Sequence, residues 1–192
     1  MAIKRLNRLN YKWEELSRKE KTDILTVAML RNICINGNGY RIGMREINVN
    51  IGKHKNNLRI DVLEINKRKN ALVGYEIKSC IEDFRADKKW ENYLTLINQL
   101  YFVFDSETFE KHNEEILQKI GNKAGVYTYS HNYNWITFVK GGQYFQLEPK
   151  DETFYRTILF NYLLRKAQLE IRGNNASNSS NNRIRTENST NL

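Results

Sequence analysis

The chain has 192 residues, 40% hydrophobic and 28% charged, a mixture typical of one globular domain with an ordinary core. No apolar run approaches the roughly 20 residues of a membrane-spanning helix, and the N-terminus lacks the apolar centre of a secretory signal. We therefore expect a cytoplasmic protein with no membrane partner. The net charge of +9 favours a polyanionic partner such as nucleic acid.

By composition the chain divides into three segments. Residues 1–21 form a basic N-terminal arm, and residues 22–172 carry the apolar patterns of a single folded domain. Residues 173–192 are dominated by Asn and Ser. A segment with so few large apolar residues cannot offset the entropy lost on ordering, so we expect a disordered tail.

The first predicted elements are a helix and a three-stranded meander. Ser17 and Glu20 have the spacing of a capping box, and apolar residues then recur at helical intervals, which predicts a helix over 18–35. Strand-like segments separated by turn sequences follow at 40–49, 58–65 and 71–78. Because their connections are short, we expect these strands to be neighbours in a sheet.

The rest of the chain alternates helices with strands. A helix is predicted from Asp83, with one apolar face made of Ala86, Trp90, Tyr93, Leu94 and Ile97. The later elements are a strand at 100–104, a helix at 107–120, strands at 124–130 and 134–140, and a closing helix at 151–171. The strand at 100–104 follows a helix and is expected to lie parallel to the third strand. This order predicts an α/β fold, with a mixed sheet flanked by helices.

Three charged residues are expected to meet on this sheet. Glu76 and Lys78 are two apart on the third strand and so point to one face, while Asp61 interrupts an apolar stretch of the second strand. If the two strands pair through the turn between them, the three charges gather on one surface. Charges in a half-buried sheet are costly unless they bind something, which makes them a candidate active site.

The chemistry of this candidate site fits hydrolysis of a phosphodiester. Asp61 and Glu76 suit a hard divalent cation, and the backbone carbonyl of Ile77 could add an oxygen ligand. We expect Mg²⁺, with Mn²⁺ able to replace it. The ion would polarise a phosphoryl oxygen and activate a water, and Lys78 would orient that water or stabilise developing negative charge. The residues alone leave open an ordinary strand edge with solvated charges.

A longer series of residues resembles a known family. The series runs Arg59, Ile60, Asp61, Val62, then Glu76, Ile77, Lys78, Ser79, then Asp83, Phe84, Asp87, Lys89, Trp90, Tyr93, and then the apolar strand Tyr101–Phe104. It resembles the MmcB-like DNA-repair family within the PD-(D/E)XK nuclease superfamily, over roughly residues 22–130. Departures from the pattern are Ile60, where the superfamily name has Pro, and Cys80, where a small polar residue is usual.

The resemblance implies a restriction-endonuclease-like fold with an α-βββ-α-β core, a divalent metal and a DNA substrate. It therefore implies a metal-dependent deoxyribonuclease, an endonuclease acting in DNA repair or recombination. The alternative is a non-catalytic DNA-binding or adaptor domain on the same fold. Nucleases that cut both strands often dimerise, so a homodimer is a candidate assembly.

Further residues are candidates around this site. Glu46 in the first strand is a candidate third metal ligand, since the superfamily often adds an early acidic residue; an exposed strand Glu is the alternative. Asp83 and Asp87 would orient Lys78 or Lys89, or would only cap and pair within their helix.

Basic residues that could contact DNA phosphates are Lys53, Lys55, Lys67, Arg68, Lys69, Lys88 and Lys89. Solvated turns explain the loop lysines almost as well. Glu64 lies off the face of Asp61 and is expected to be exposed.

Overall fold

The computed structural model describes residues 12–48 and 59–147, with positions 158, 160, 162 and 163. Lys53, Lys55, most of the predicted arm, most of the predicted closing helix and the predicted tail lie outside the described residues. The chain divides into two compact units, Tyr11–Pro149 and Met1–Asn10 with Lys150–Leu192. The division into arm, single domain and tail stays a prediction. Among the described residues, no helix has the length and apolar character needed to cross a bilayer.

In the described part of the unit Tyr11–Pro149, ten helices and strands follow an initial 3-10 helix. A 3-10 helix at Trp13–Glu15 comes first. The others are α1 (Arg18–Asn36), β1 (Arg41–Asn48), β2 (Arg59–Asn66), β3 (Ala71–Lys78), α2 (Ile81–Ala86), a second 3-10 helix (Trp90–Thr95), β4 (Gln99–Asp105), α3 (Ser106–Ile120), β5 (Gly125–Ser130) and β6 (Trp135–Lys140). The predicted bounds of α1 and β1–β3 agree with these to within one residue.

The strands of the described residues form one mixed sheet of six, and their spatial order follows the chain. β1, β2 and β3 pair antiparallel, β3, β4 and β5 pair parallel, and β6 pairs antiparallel with β5. Parallel neighbours need a crossover, which α2 with the second 3-10 helix supplies before β4 and α3 supplies before β5. The predicted α/β class and the parallel position of β4 are confirmed, and the architecture is compatible with a restriction-endonuclease-like fold.

Helix α1 packs along one face of the sheet. It begins at the predicted capping box, in which Glu20 N donates to Ser17 Oγ (3.3 Å) and Ser17 N donates to Glu20 Oε2 (2.9 Å). Its buried side chains Leu25, Met29 and Ile33 join the core formed by β2, β3 and β4. A Cβ at Gly43 of β1 would approach Leu30 Cδ2 to 2.9 Å, so this glycine allows the helix to lie close to the strand.

The predicted continuous helix from Asp83 is wrong. α2 ends at Ala86, whose side chain is exposed, and the backbone is extended at Asp87 (φ −75°, ψ 105°) before the 3-10 helix starts at Trp90. The physical reason is a tertiary contact, because the side chain of Asp87 reaches β3 and accepts a hydrogen bond from Lys78. Three residues of the predicted apolar face, Trp90, Tyr93 and Ile97, are nevertheless buried, and Leu94 is half-buried.

Candidate active site

Asp61 lies where the regular ladder between β2 and β3 ends. The last bridge along this end of the ladder joins Val62 to Tyr75. Beyond it, the backbone amide of Ile77 donates to Asp61 Oδ2 at 2.9 Å, so a side chain continues the pairing that a carbonyl would otherwise make. The N–H and C=O of one residue in an antiparallel strand face the same neighbour, so the Ile77 carbonyl is also directed to the β2 side.

Glu76 is a buried carboxylate with an unpaired oxygen. Its side chain is 6% exposed, and Oε2 lies 3.4 Å from Lys78 Nζ. Among the described residues, Oε1 has no hydrogen-bond partner. Burial raises the pKa of Glu76 to about 8, and the negative charge of Asp61 adds to this effect. Burial is also the main reason why the pKa of Asp61 is raised. An unpaired, desolvated carboxylate oxygen is costly, and a bound cation would offset that cost.

Lys78 is held between two carboxylates and an aromatic ring. Its Nζ lies 2.6 Å from Asp87 Oδ2 and 5.7 Å from the centre of the Phe102 ring. Burial alone would lower the pKa of Lys78, but the charge of Glu76 and the hydrogen bond to Asp87 outweigh it, and the pKa is raised. Lys78 is therefore a charged ammonium at neutral pH. It can orient a water or stabilise negative charge, and it is not placed to act as a base.

The other residues expected beside Lys78 contact different partners. Asp87 contacts it directly, whereas Asp83 forms an ion pair with Arg18 of α1. Lys89 contributes its backbone amide, which donates to Asp87 Oδ1 at 3.0 Å, and its side chain is exposed. Lys88 is exposed beside it. Of the two predicted orienting acids, the structure places only Asp87 against Lys78.

Lys119 is a neighbour of Asp87 that the sequence did not suggest. From α3 its Nζ donates to the carbonyls of Phe84 (2.5 Å) and Asp87 (3.2 Å), which lie at the end of α2. Its Nζ also lies 4.5 Å from the centre of the Phe84 ring. The contact gives an additional donor to carbonyls at the end of the short helix; the Phe84 carbonyl also accepts from the Asp87 amide at 3.3 Å. No local signal identifies this role, because it depends on two elements that are distant in sequence.

A groove of about 470 Å³ opens beside Asp61, between the first half of α1 and the adjoining ends of β1 and β2. Its charged lining consists of the cations Arg18, Lys19, Arg45 and Arg59 and the acids Asp23, Glu46 and Asp61. The sequence interpretation gave these cations no role. The sequence does contain one indication of a role for them. Arg18 and Lys19 occupy the first turn of α1, where the helix dipole disfavours positive charge.

Glu46 lies next to Asp61 on the neighbouring strand. It sits opposite Asp61 in the ladder, between the bridges that join Arg45 to Val62 and Ile47 to Ile60. Its charge contributes to the raised pKa of Asp61. Its φ of +52° is uncommon for a residue other than glycine, and such conformations are concentrated at functional sites. Metal ligation by Glu46 stays a prediction.

The carboxylates of Glu46, Asp61 and Glu76 do not form a compact group of three. Within residues 12–48 and 59–147, the group whose ligand atoms all lie within 4.8 Å of one another is Glu14, Glu107 and His131. A cation at the candidate site would accordingly rest on the pair Asp61 and Glu76, completed by backbone oxygen and water. Mg²⁺ commonly keeps several waters and binds through one or two carboxylates, so this donor set fits it.

The basic turn between β2 and β3 lies at the other end of the hairpin. Lys67 is the first residue after β2 and lies six residues from Asp61, which at about 3.3 Å per residue places it about 20 Å away. The neighbouring Arg68 and Lys69 are exposed in the same turn. This turn does not border the candidate active site, and its contact with DNA stays a prediction.

The expectation that Glu64 is exposed is wrong. Its side chain is 1% exposed, and it accepts hydrogen bonds from Arg41 Nε (2.7 Å) and Nη2 (2.6 Å). The hydroxyl of Tyr75 donates to Glu64 Oε2 at 2.6 Å. An arginine on the neighbouring strand compensates the burial of this carboxylate, and the strand pattern alone does not reveal that partner.

Comparisons with known proteins give a family similarity and a fold similarity. The model of the MmcB-like DNA repair protein family matches residues 43–117, a stretch that starts in β1, ends in α3 and includes Asp61, Glu76 and Lys78. A protein of unknown function from Silicibacter pomeroyi has a similar structure, with a TM-score of 0.56 and 19% identity over 80% of this chain and 89% of that one. At this identity the likeness concerns the fold. No curated protein gives a significant match.

Proposed function

We propose that this chain is a metal-dependent DNA nuclease of the PD-(D/E)XK type that acts in DNA repair or recombination. The observation that carries the proposal is the buried Oε1 of Glu76, which has no hydrogen-bond partner among the described residues and lies beside Asp61 and next to the charged Lys78. The match of residues 43–117 to a DNA repair family supports it, since the matched stretch contains all three residues.

Asp61, Glu76 and the carbonyl of Ile77 would hold the cation, Mg²⁺ or Mn²⁺. When bound, that ion supplies Lewis-acid polarisation of a phosphoryl oxygen and a water of lowered pKa. Asp61 is fixed by the amide of Ile77, so its second oxygen, Oδ1, is the one left for a ligand. This hydrogen bond holds the carboxylate in place before any substrate arrives.

Lys78 would act through its charge. It is held by Asp87 and is buried over the Phe102 ring, where an ammonium interacts more strongly with negative charge than it would in water. In phosphodiester hydrolysis, negative charge grows on the phosphoryl oxygens and on the leaving oxygen. Lys78 would stabilise that charge or hold the attacking water by hydrogen bonding.

The groove beside Asp61 would bind the DNA backbone. Arg18, Lys19, Arg45 and Arg59 line it, and contacts from such cations to phosphates supply affinity without reading sequence. Arg18 and Arg45 are themselves paired with Asp83 and Asp23, whereas Lys19 and Arg59 form no ion pair within the described residues. Lys19 and Arg59 are therefore the cations most available to a phosphate. The groove and the candidate metal ligands share Asp61, which would place a bound phosphate next to the reactive centre.

The test is incubation of supercoiled plasmid and branched DNA with the full chain, in Mg²⁺, in Mn²⁺ and in chelator. We expect metal-dependent cleavage that is lost in Glu76→Gln, Asp61→Asn and Lys78→Met. Glu91→Gln is the matched control, since Glu91 is an exposed glutamate paired with Lys123 outside the site. Cleavage that survives Glu76→Gln or Lys78→Met would show that these residues are not the catalytic ones.

A second outcome would favour the alternative class. The cationic groove also suits a DNA-binding or adaptor domain that does not cut. Salt-sensitive binding of DNA, unchanged by Mg²⁺ and by Glu76→Gln and without cleavage of either substrate, would support that reading and reject the nuclease.

A further inference from the structure

A second cavity, of about 380 Å³, lies at the other end of the β2–β3 hairpin from the candidate active site. The end of α1, the β2–β3 turn and strands β1 to β5 contribute to its lining. The residues that give it chemical character are Arg41, Glu64, Arg68, Lys69, Tyr101 and Tyr127. Its volume falls in the range of sites for small molecules, which is about 300–1,000 Å³.

The floor of this cavity is a preorganised polar network. Glu64 accepts from Arg41 and from the hydroxyl of Tyr75, and both of its oxygens are used. Within the described residues, the Arg41 guanidinium uses Nε and Nη2 in this network, and Nη1 has no hydrogen-bond partner. The hydrogen bond with Glu64 raises the pKa of Arg41, so the group keeps its charge. Arg41 can therefore offer N–H donors to a ligand without breaking the network.

One wall of the cavity is aromatic. The rings of Tyr101 and Tyr127 meet edge to face with centroids 5.1 Å apart, and Tyr75 stacks on Tyr101 at 5.6 Å. Burial raises the pKa of Tyr127 to about 12, so its hydroxyl is a protonated donor at neutral pH. Rings that are held by one another in this way lose little entropy when a flat ligand packs on them.

The rim carries positive charge. Arg68 and Lys69 are exposed in the turn between β2 and β3, and both line the cavity. In the described part of the chain neither side chain takes part in an ion pair, whereas Arg41 is matched by Glu64. The cavity thus combines an uncompensated cationic rim with an aromatic wall.

We infer that this cavity binds a nucleoside phosphate, with the base against the half-buried ring of Tyr127, which Tyr101 supports from behind, and the phosphate at Arg68 and Lys69. Aromatic faces bind bases of any identity by stacking, and arginine binds phosphate oxygens through paired N–H groups. The nucleotide could be free or could belong to a single strand of DNA. The turn that carries Arg68 and Lys69 is about 20 Å from Asp61. The floor residue Glu64 is only three residues along β2 from Asp61, about 10 Å, but it lies on the opposite face of the sheet, so the site is separate from the proposed catalytic centre.

The experiment is calorimetric titration of the full chain in chelator, which prevents hydrolysis, with a deoxynucleoside monophosphate and with a short single-stranded oligonucleotide. We expect saturable binding that weakens about two- to fivefold in Arg68→Ala and in Lys69→Ala, the range for an exposed ionic contact. Tyr127→Leu should weaken it at least fivefold through lost stacking. The two exposed turn variants keep the test decisive if Tyr127→Leu does not fold.

Lys111→Ala is the matched control, because Lys111 is an exposed lysine of α3 outside the cavity and its loss changes net charge equally. Similar affinity for both ligands would identify a free nucleotide as the occupant. Tighter binding of the oligonucleotide, weakened by the same variants, would identify a nucleotide within a strand. The inference fails if neither ligand saturates the protein, or if Lys111→Ala weakens binding as much as Arg68→Ala does.

Discussion

Lys78 at the end of β3 and Asp87 just after α2 form a hydrogen-bonded ion pair of 2.6 Å, with side chains only 9% and 15% exposed. This pair joins the sheet to the segment that follows it and fixes the ammonium next to Glu76. Lys78 is thus held in position by a residue outside the group Asp61, Glu76 and Lys78.

Replacing Asp87 should therefore affect both stability and activity. In Asp87→Asn the ammonium of Lys78 loses its nearest charge partner, and hydrogen bonds to charged groups contribute about 1.5–3 kcal/mol. We expect the free energy of unfolding, measured by urea denaturation, to fall by about that amount, and cleavage to decrease. Glu91→Gln removes an exposed ion pair and should change stability by at most about 1 kcal/mol. Equal effects of the two variants would argue against a special role for Asp87.

Glu76 should make the metal-free protein less stable as pH rises. Its pKa is raised from the usual 4.5 to about 8 in the folded state, so between these values the folded chain holds a proton that the unfolded chain releases. The contribution of protonated Glu76 to the free energy of unfolding is fully present below pH 4.5. It is lost as the pH rises towards 8. Glu76→Gln should have the higher melting temperature in chelator, with a difference that grows from pH 5 to pH 8. A constant difference would contradict the raised pKa.

Metal binding should reverse this pH dependence. A cation on Glu76 competes with its proton, so the affinity for Mn²⁺ should increase with pH up to about 8 and then level off. The measurement is calorimetric titration of Mn²⁺ into the DNA-free protein at several pH values. Glu76→Gln should abolish the binding, and Glu91→Gln should leave it intact. Binding that Glu76→Gln does not alter would place the cation elsewhere, and the group Glu14, Glu107 and His131 would be the next site to examine.

The groove cations should control the salt dependence of DNA binding. Lys19→Ala and Arg59→Ala each remove one cation from the groove beside Asp61. Each should reduce the slope of log affinity against log salt by about 1, since each phosphate contact releases about one counterion. Fluorescence anisotropy with labelled duplex DNA measures this slope. Lys111→Ala is again the control, and a slope reduced equally by it would indicate unspecific attraction.

Removing one partner of the buried pair Arg41 and Glu64 should lower the free energy of unfolding strongly, whereas replacing both charges should lower it little. Arg41→Ala leaves the Glu64 carboxylate without its partner in the interior, and breaking such a pair costs about 3–5 kcal/mol. The double variant Arg41→Met/Glu64→Gln removes both charges and keeps an oxygen acceptor for the Tyr75 hydroxyl, so it should recover most of that loss, as urea denaturation would show. A double variant less stable than Arg41→Ala would mean that the network itself stabilises the fold.

The sequence predicted the strands well because their signals are local. Alternation and turn residues placed β2 and β3 to within one residue, and the short turn between them implied that Asp61 and Glu76 would be neighbours. The break at Asp87, the burial of Glu64 and the pairing of Arg18 with Asp83 each depend on a partner from a distant element. No periodicity within one segment contains that information, so these features required the three-dimensional arrangement.

The hydrogen bond from the Ile77 amide to Asp61 affects the choice of an inactive variant. Removing the carboxylate of Asp61 takes away a proposed ligand and also unties the end of the β2–β3 pairing, so loss of activity in Asp61→Ala could reflect a distorted sheet. Glu76 makes no backbone contact of this kind among the described hydrogen bonds, and glutamine preserves its shape. Glu76→Gln is therefore the better reference for trapping the protein on uncleaved DNA.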